Sequence, residues 1–150
     1  TTNIIPDTAL MEGTIRSFDN QTDTLLRDSI LRIARNTAAA FRATAEVAFG
    51  EKPYPALLND EKMTGLLIQS ASDTLGTGAV QVLDEPSMVA EDFACYLEAV
   101  PGTFFFLGMA DSPEEPYPAL HSPYYDFNDK ALPAGISTMA ELALRFLNEG

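Results

Sequence analysis

The sequence predicts a mixed fold of the α+β or α/β kind. Three observations carry that expectation: stretches whose residues alternate with a period of two, longer stretches whose apolar positions recur every three to four residues, and one uninterrupted apolar run. Alternation separates the two sides of a strand, the helical period marks one face of a helix, and the apolar run suits a strand buried on both faces.

In chain order, residues 9–18 alternate, with Leu10, Glu12, Thr14 and Arg16 on one side and Met11, Gly13, Ile15 and Ser17 on the other. Asp19 or Asn20 then caps a helix with an apolar stripe of Leu26, Ile30, Ile33, Ala34, Thr37 and Phe41. Residues 44–49 alternate again and stop at Gly50, and Pro53 and Pro55 mark a boundary, since neither can donate to a ladder. Asn59 or Asp60 opens a second helix with Met63, Leu66, Leu67 and Ser70 on one stripe, ended by Gly76-Thr77-Gly78. A short strand is expected over 79–83. Pro86-Ser87 opens a third helix with Phe93, Tyr96, Leu97 and Val100 on its face, stopped by Pro101-Gly102. Residues 103–107, with three consecutive phenylalanines, form the apolar run, and strand, helix, strand over about 30 residues suggests a right-handed crossover. After a loop with four prolines, Asn128 or Asp129 begins a last helix whose buried stripe is Leu132, Ile136, Met139, Ala140, Ala143 and Phe146 or Leu147.

Composition bounds the function. A chain of 150 residues, 46% hydrophobic and 21% charged, has the make-up of a globular protein and can bury a core without staples. With 22 acidic against 9 basic residues, its net charge of −13 repels nucleic acid and anionic membrane surfaces and attracts cations. The single cysteine, Cys95, excludes an internal disulfide and fits a reducing cytoplasm. No basic segment followed by an apolar one opens the chain, and the missing initiator methionine suggests a piece of a longer protein.

The single histidine, His121, is the most informative residue. It lies in an irregular segment between Pro118 and Pro123, where it reads either as a ligand for a transition metal or as a polar loop residue. Glu91 and Asp92 read as carboxylates favoured at a helix N-terminus, or as polar contacts to a substrate. Asn3 reads as a turn residue and Arg16 as an exposed strand residue, although an amide and a guanidinium together suit a free carboxylate. Cys95 reads as packing. No phosphate-binding glycine loop or Ser-His-Asp arrangement is present.

Taken in order, the segments Asn3-Ile4-Ile5-Pro6-Asp7, Glu12-Gly13-Thr14-Ile15-Arg16-Ser17-Phe18-Asp19, Pro86-Ser87-Met88-Val89-Ala90-Glu91-Asp92-Phe93, Pro101-Gly102-Thr103-Phe104-Phe105-Phe106-Leu107-Gly108, His121-Ser122-Pro123-Tyr124-Tyr125-Asp126-Phe127-Asn128 and Leu132-Pro133 strongly resemble the amidohydrolase branch of the aminoacylase/carboxypeptidase metallopeptidase family. Hippurate hydrolases and indole-acetyl-amino-acid hydrolases belong to that branch. The match runs over nearly the whole chain, which makes it more specific than any one motif.

The resemblance implies a bilobal, two-metal enzyme with a ferredoxin-like lid. Residues 1–54 would be the second half of that lid and dimerisation domain, a strand, a helix and a strand. Residues 55–150 would be the C-terminal helix-strand-helix-strand-helix part of the catalytic domain. His121 would be the final metal ligand, Asn3 and Arg16 would grip the substrate carboxylate, and Glu91 and Asp92 would match the family's acidic pair. Val89 departs from the glycine usual near that pair, which narrows the room for backbone to approach a ligand. The implied cofactors are two divalent metals of the Zn, Mn, Co or Ni class, and the implied substrate is an N-acyl amino acid or short peptide. A homodimer through the lid is expected, with no nucleic acid or membrane partner. The chain alone is expected to be inactive, with the other ligands and the general base on polypeptide upstream. The alternative expectation is a non-catalytic acidic dimerisation or binding module; an upstream His-x-Asp motif and paired glutamates would separate the two.

Overall fold

A computed structural model describes residues 3–50, 54–112 and 116–148. The chain divides into two compact units: Thr1–Ala56 with Met88–Glu91, and Leu57–Ser87 with Asp92–Gly150.

The first unit is built on helix α1, Asn20–Ala40. Asp19 caps it, one carboxylate oxygen accepting the Thr22 N–H and the other the Thr22 hydroxyl, both at 2.7 Å. These bonds to the charged form hold the Asp19 carboxyl below its ordinary pKa. At the other end, Arg42 N–H reaches the Ala39 carbonyl at 3.0 Å and Ala43 N–H reaches the Ala38 carbonyl at 2.9 Å. That crossed pair is a Schellman motif, and it forces Arg42 to a φ of 59°, where glycine is the usual occupant. Arg27 pairs with Asp23 at 2.6 Å and lies 4.8 Å from the Phe49 ring centroid, so it holds the segment after the helix beside it. No residue of α1 is fully buried, and of the expected stripe only Leu26 and Ala34 are half-covered.

The second unit centres on α2, Glu61–Leu75, and α4, Leu132–Asn148, which pack on each other. Asp60 caps α2 by accepting the Met63 N–H at 2.9 Å, and Gly76 ends it at a φ of 88°. Leu66, Leu67, Ser70 and Ala71 bury the face that the spacing anticipates, and Thr138 is buried on α4. Arg145 of α4 bridges to Asp73 of α2 at 2.6 Å and to Glu141 at 3.1 Å. Residues 102–107 run beside these helices: Asp60 N–H donates to the Gly102 carbonyl at 2.9 Å, and Thr64 and Thr103 hydroxyls meet at 3.2 Å. A Cβ on Gly135 would stand 3.0 Å from a methyl of the Leu107 side chain, which would have to shift by a few tenths of an ångström to admit it.

The mixed α+β or α/β expectation is overturned. Among the described residues the regular structure is helical, with short 3-10 turns at Thr77–Ala79 and Asp129–Ala131, and no strand is formed. Residues 9–18, 44–49 and 103–107 lie in no regular element, residues 79–83 lie in none beyond the close of the first 3-10 turn, and no ladder joins any of the four. Alternation fixes which side chains share a face, but a strand also requires a neighbouring backbone in register. The expected strand-helix-strand lid and helix-strand-helix-strand-helix segment therefore reduce to their helices.

Two further corrections concern helices. The third helix is the four-residue α3, Ala94–Leu97, and residues 86–91 are not helical. No side chain caps its start, and the carbonyl of Met88, which a longer helix would use internally, instead accepts a bond from Arg16. On α4 the expected buried stripe faces outward: Ile136, Met139, Phe146 and Leu147 are exposed, while the smaller Thr138 is buried and Gly135 sits beside Leu107. Phe106 is likewise exposed, whereas Phe104 packs between Phe93 and Phe106 with ring centroids 5.9 and 5.7 Å away.

Candidate functional site

His121 stands at the tip of a loop whose base and middle are tied by side chains. At the base, Asn128 Nδ2 donates to the Met109 carbonyl at 2.8 Å and to Asp111 at 3.2 Å, while its Oδ1 accepts the Lys130 N–H at 3.1 Å. Lys130 Nζ also reaches Asp111 at 2.6 Å. The bonds from Lys130 and Asn128 to the ionised form hold the Asp111 carboxyl below its ordinary pKa. Higher up, the Tyr117 hydroxyl donates to the Asp126 carbonyl, and the Tyr117 and Tyr125 rings meet edge to face at 6.2 Å. Desolvation, reinforced by Tyr125, Asp126 and Asp111, raises the Tyr117 phenol above its ordinary pKa.

Within this frame two turns follow each other. Ser122 N–H donates to the Ala119 carbonyl at 2.9 Å, and Tyr125 N–H donates to the Ser122 carbonyl at 3.0 Å across Pro123. Ser122 Oγ also accepts the Tyr124 N–H at 3.2 Å. In the first turn His121 occupies the third position with a φ of 75°, the sign a type II turn demands. Glycine is normal there; a side chain costs strain of order 1 kcal/mol. The imidazole is exposed at the apex of a segment braced on both flanks.

Arg16, in the first unit, donates from Nη1 to the Met88 carbonyl at 2.8 Å. This bond brings the guanidinium to the four-residue return, Met88–Glu91, that belongs to the same unit. Glu91 is half-buried, and Asp92 is exposed, its carbonyl accepting the Cys95 N–H at 2.9 Å at the start of the turn into α3. Both acidic residues precede the short α3 instead of lying on the first turn of a longer helix. Asn3 lies on an exposed turn of the first unit. Arg16 and the Glu91 segment are thus brought together, whereas His121 belongs to the second unit. Among the described residues no group of three or more His, Cys, Asp or Glu converges as a metal cage, and no helix is long and apolar enough to cross a membrane.

Sequence reasoning missed Tyr117, Asn128 and the Met88 carbonyl. The first two carried a local signal, a Tyr-Pro pair and an Asn beside a helix start, but their partners lie 9 and 19 residues away. A backbone acceptor 72 residues from its donor leaves no trace in composition.

Comparison with known proteins supplies the wider frame. Over 146 residues the chain is 38% identical to a Bacillus subtilis (strain 168) protein that carries an amidohydrolase name, covering 96% of this chain and 36% of that protein. It is 34% identical over 150 residues to the IAA-amino acid hydrolase ILR1-like 4 of Arabidopsis thaliana, covering 98% and 34%. It is 35% identical over 149 residues to the N-acetyl-L-cysteine deacetylase of Bacillus subtilis, covering 99% and 33%. The chain spans about a third of the length of these relatives. Residues 3–145 match the peptidase family M20/M25/M40 as a whole, and the chain belongs to that family.

Proposed function

We propose that the chain is the C-terminal part of a metal-dependent amidohydrolase that cleaves N-acyl amino acids bearing a free carboxylate. The observation that carries this reading is His121: an exposed imidazole on a strained backbone, held by two turns and a tyrosine brace. Strain of this kind persists where the surrounding structure over-determines it, and a donor to a cation is a use that would justify it. The names of two relatives, hydrolases of an indole-acetyl conjugate and of an N-acetyl amino acid, support the substrate class.

In this reading His121 contributes one imidazole to a centre for two divalent ions of the Zn, Mn, Co or Ni class, its remaining donors and the general base coming from polypeptide outside these 150 residues. Such ions activate water and polarise the scissile amide. Arg16, oriented by the Met88 carbonyl, presents its other guanidinium donors to the substrate carboxylate, with Asn3 adding an amide donor and Glu91 and Asp92 lining the acyl-amino acid site. The first unit serves as lid and homodimer contact, and the acidic surface and lone cysteine suit a cytoplasmic enzyme.

The test joins this chain to the upstream two thirds of the Bacillus subtilis N-acetyl-L-cysteine deacetylase and assays hydrolysis of hippurate and N-acetyl amino acids with added Mn or Zn. The fusion should turn over and His121→Ala should lose at least a thousandfold in kcat/KM, while the 150 residues alone show none. Undiminished turnover by the alanine variant would refute the assignment.

A further inference from the structure

Arg16 and the return segment Met88–Glu91 lie in the same compact unit, joined by the 2.8 Å bond from Arg16 Nη1 to the Met88 carbonyl. That bond engages one N–H of the guanidinium and fixes where the cation stands, while the planar fork keeps further donors for an anion. Two apolar side chains stand open beside it: Met88 is 48% exposed and Val89 59%. Taken singly, exposed apolar residues are ordinary. A consecutive pair next to an anchored cation is a different surface, because it matches a ligand that is anionic at one end and apolar at the other.

Covalent geometry sets the reach. The Val89 Cβ can lie no more than about 4.3 Å from the Met88 carbonyl oxygen, which puts it within about 7 Å of the Arg16 Nη1. A carboxylate oxygen held by a guanidinium N–H sits about 2.8 Å from the nitrogen, and the side chain of an amino acid branches from the carbon next to that carboxylate. The first atoms of such a side chain and the methyls of Val89 therefore fall within the same radius of the cation. Val89 is β-branched and holds few rotamers, so it presents a fixed wall. Met88 is unbranched and adapts its shape. A rigid wall with an adaptable neighbour suits apolar side chains as a class more than any one shape.

We propose that Val89, with Met88 beside it, is the contact for the side chain of the substrate's amino acid, and that the site prefers N-acyl conjugates of apolar amino acids to those of glycine. This rests on the reading of Arg16 as the group that holds the substrate carboxylate. Burial of the ligand's side chain against an open wall supplies the discrimination, so its size is modest.

The test is a titration of the chain with N-acetylleucine and N-acetylglycine, followed by NMR at the Arg16 Nε–H and the Val89 methyls. N-acetylleucine should bind about fivefold tighter, Val89→Ala should bring the ratio down to about twofold or less, and Arg16→Leu should weaken both ligands. Equal affinities for two ligands that both bind would overturn the contact and leave the carboxylate reading intact. No binding of either acid, or N-acetylleucine amide binding as tightly as the acid, would overturn both. A preference for the glycine conjugate that Val89→Ala relieves would make Val89 a steric barrier, and the proposal fails.

Discussion

Asn59 pairs with Phe104 as a strand partner would. Phe104 N–H donates to Asn59 Oδ1 at 2.8 Å, and Asn59 Nδ2 donates to the Phe104 carbonyl at 2.9 Å. One side-chain amide thereby satisfies both backbone groups of a residue that has no ladder.

Asn59→Ala should lower the stability of the second unit by about 1–2 kcal/mol, two neutral hydrogen bonds at a partly exposed site. Asn59→Asp keeps the acceptor and loses the donor, so it should cost about half as much. Urea unfolding followed by tyrosine fluorescence measures both; an unchanged midpoint for alanine would show that water replaces the amide freely.

Among the described residues Arg42 and His121 are the two side chains held at positive φ, and they should answer glycine differently. Arg42→Gly should stabilise the first unit by about 0.5–1 kcal/mol, because the αL position of a Schellman motif suits glycine. His121→Gly should relax its turn by a similar amount, about 1 kcal/mol, yet abolish turnover in the fusion. Thermal melts and the hydrolysis assay on the same preparations separate strain kept for function from strain merely tolerated.

The loop that carries His121 should be ordered over a bounded range of pH. Asp111 has a folded pKa below its free value, so its contribution is complete above the unfolded pKa near 3.8 and is lost as pH falls through the lower folded value. Tyr117 has a folded pKa above 10.0, so its bond is intact below that value and is lost as pH rises through the folded one. Backbone amide shifts of Met109 and Asn128 at the loop base should report the acid step, and those of Tyr117 and Asp126 the alkaline one. Asp111→Asn should remove the acid step and Tyr117→Phe the alkaline one.

Arg16→Lys in the fusion should raise KM for substrates with a free carboxylate by roughly 10- to 100-fold, with little change in kcat, since a lysine cannot hold both the Met88 carbonyl and a bidentate anion. Amide-capped substrates should bind equally to both forms. Equal loss on the two substrate classes would mean that Arg16 acts on the fold and not on the carboxylate.

Much of the helical architecture was legible because its signals are local. Asp19 and Asp60 cap the helices that their spacing announces, Gly76 ends the second, and Leu66, Leu67 and Ser70 are buried where the period puts them. That no strand forms among the described residues was not legible, because residues 9–18 and 103–107 meet the compositional requirement while the pairing requirement lies outside any window. The outward turn of Ile136 and Met139 was hidden for the same reason: amphipathicity names a face, not what covers it. At the site, proline spacing marked the His121 segment, but the bond from Arg16 to Met88 spans 72 positions and only folding reveals it.

The return of Met88–Glu91 to the first unit means that this unit is not a contiguous piece of chain. Excising residues 1–56 would strip Arg16 of its acceptor and leave behind four residues that belong with the removed part. A protease nick near position 56 would for the same reason cut this unit from the four residues that complete it, leaving the bond from Arg16 to the Met88 carbonyl as a contact between two fragments.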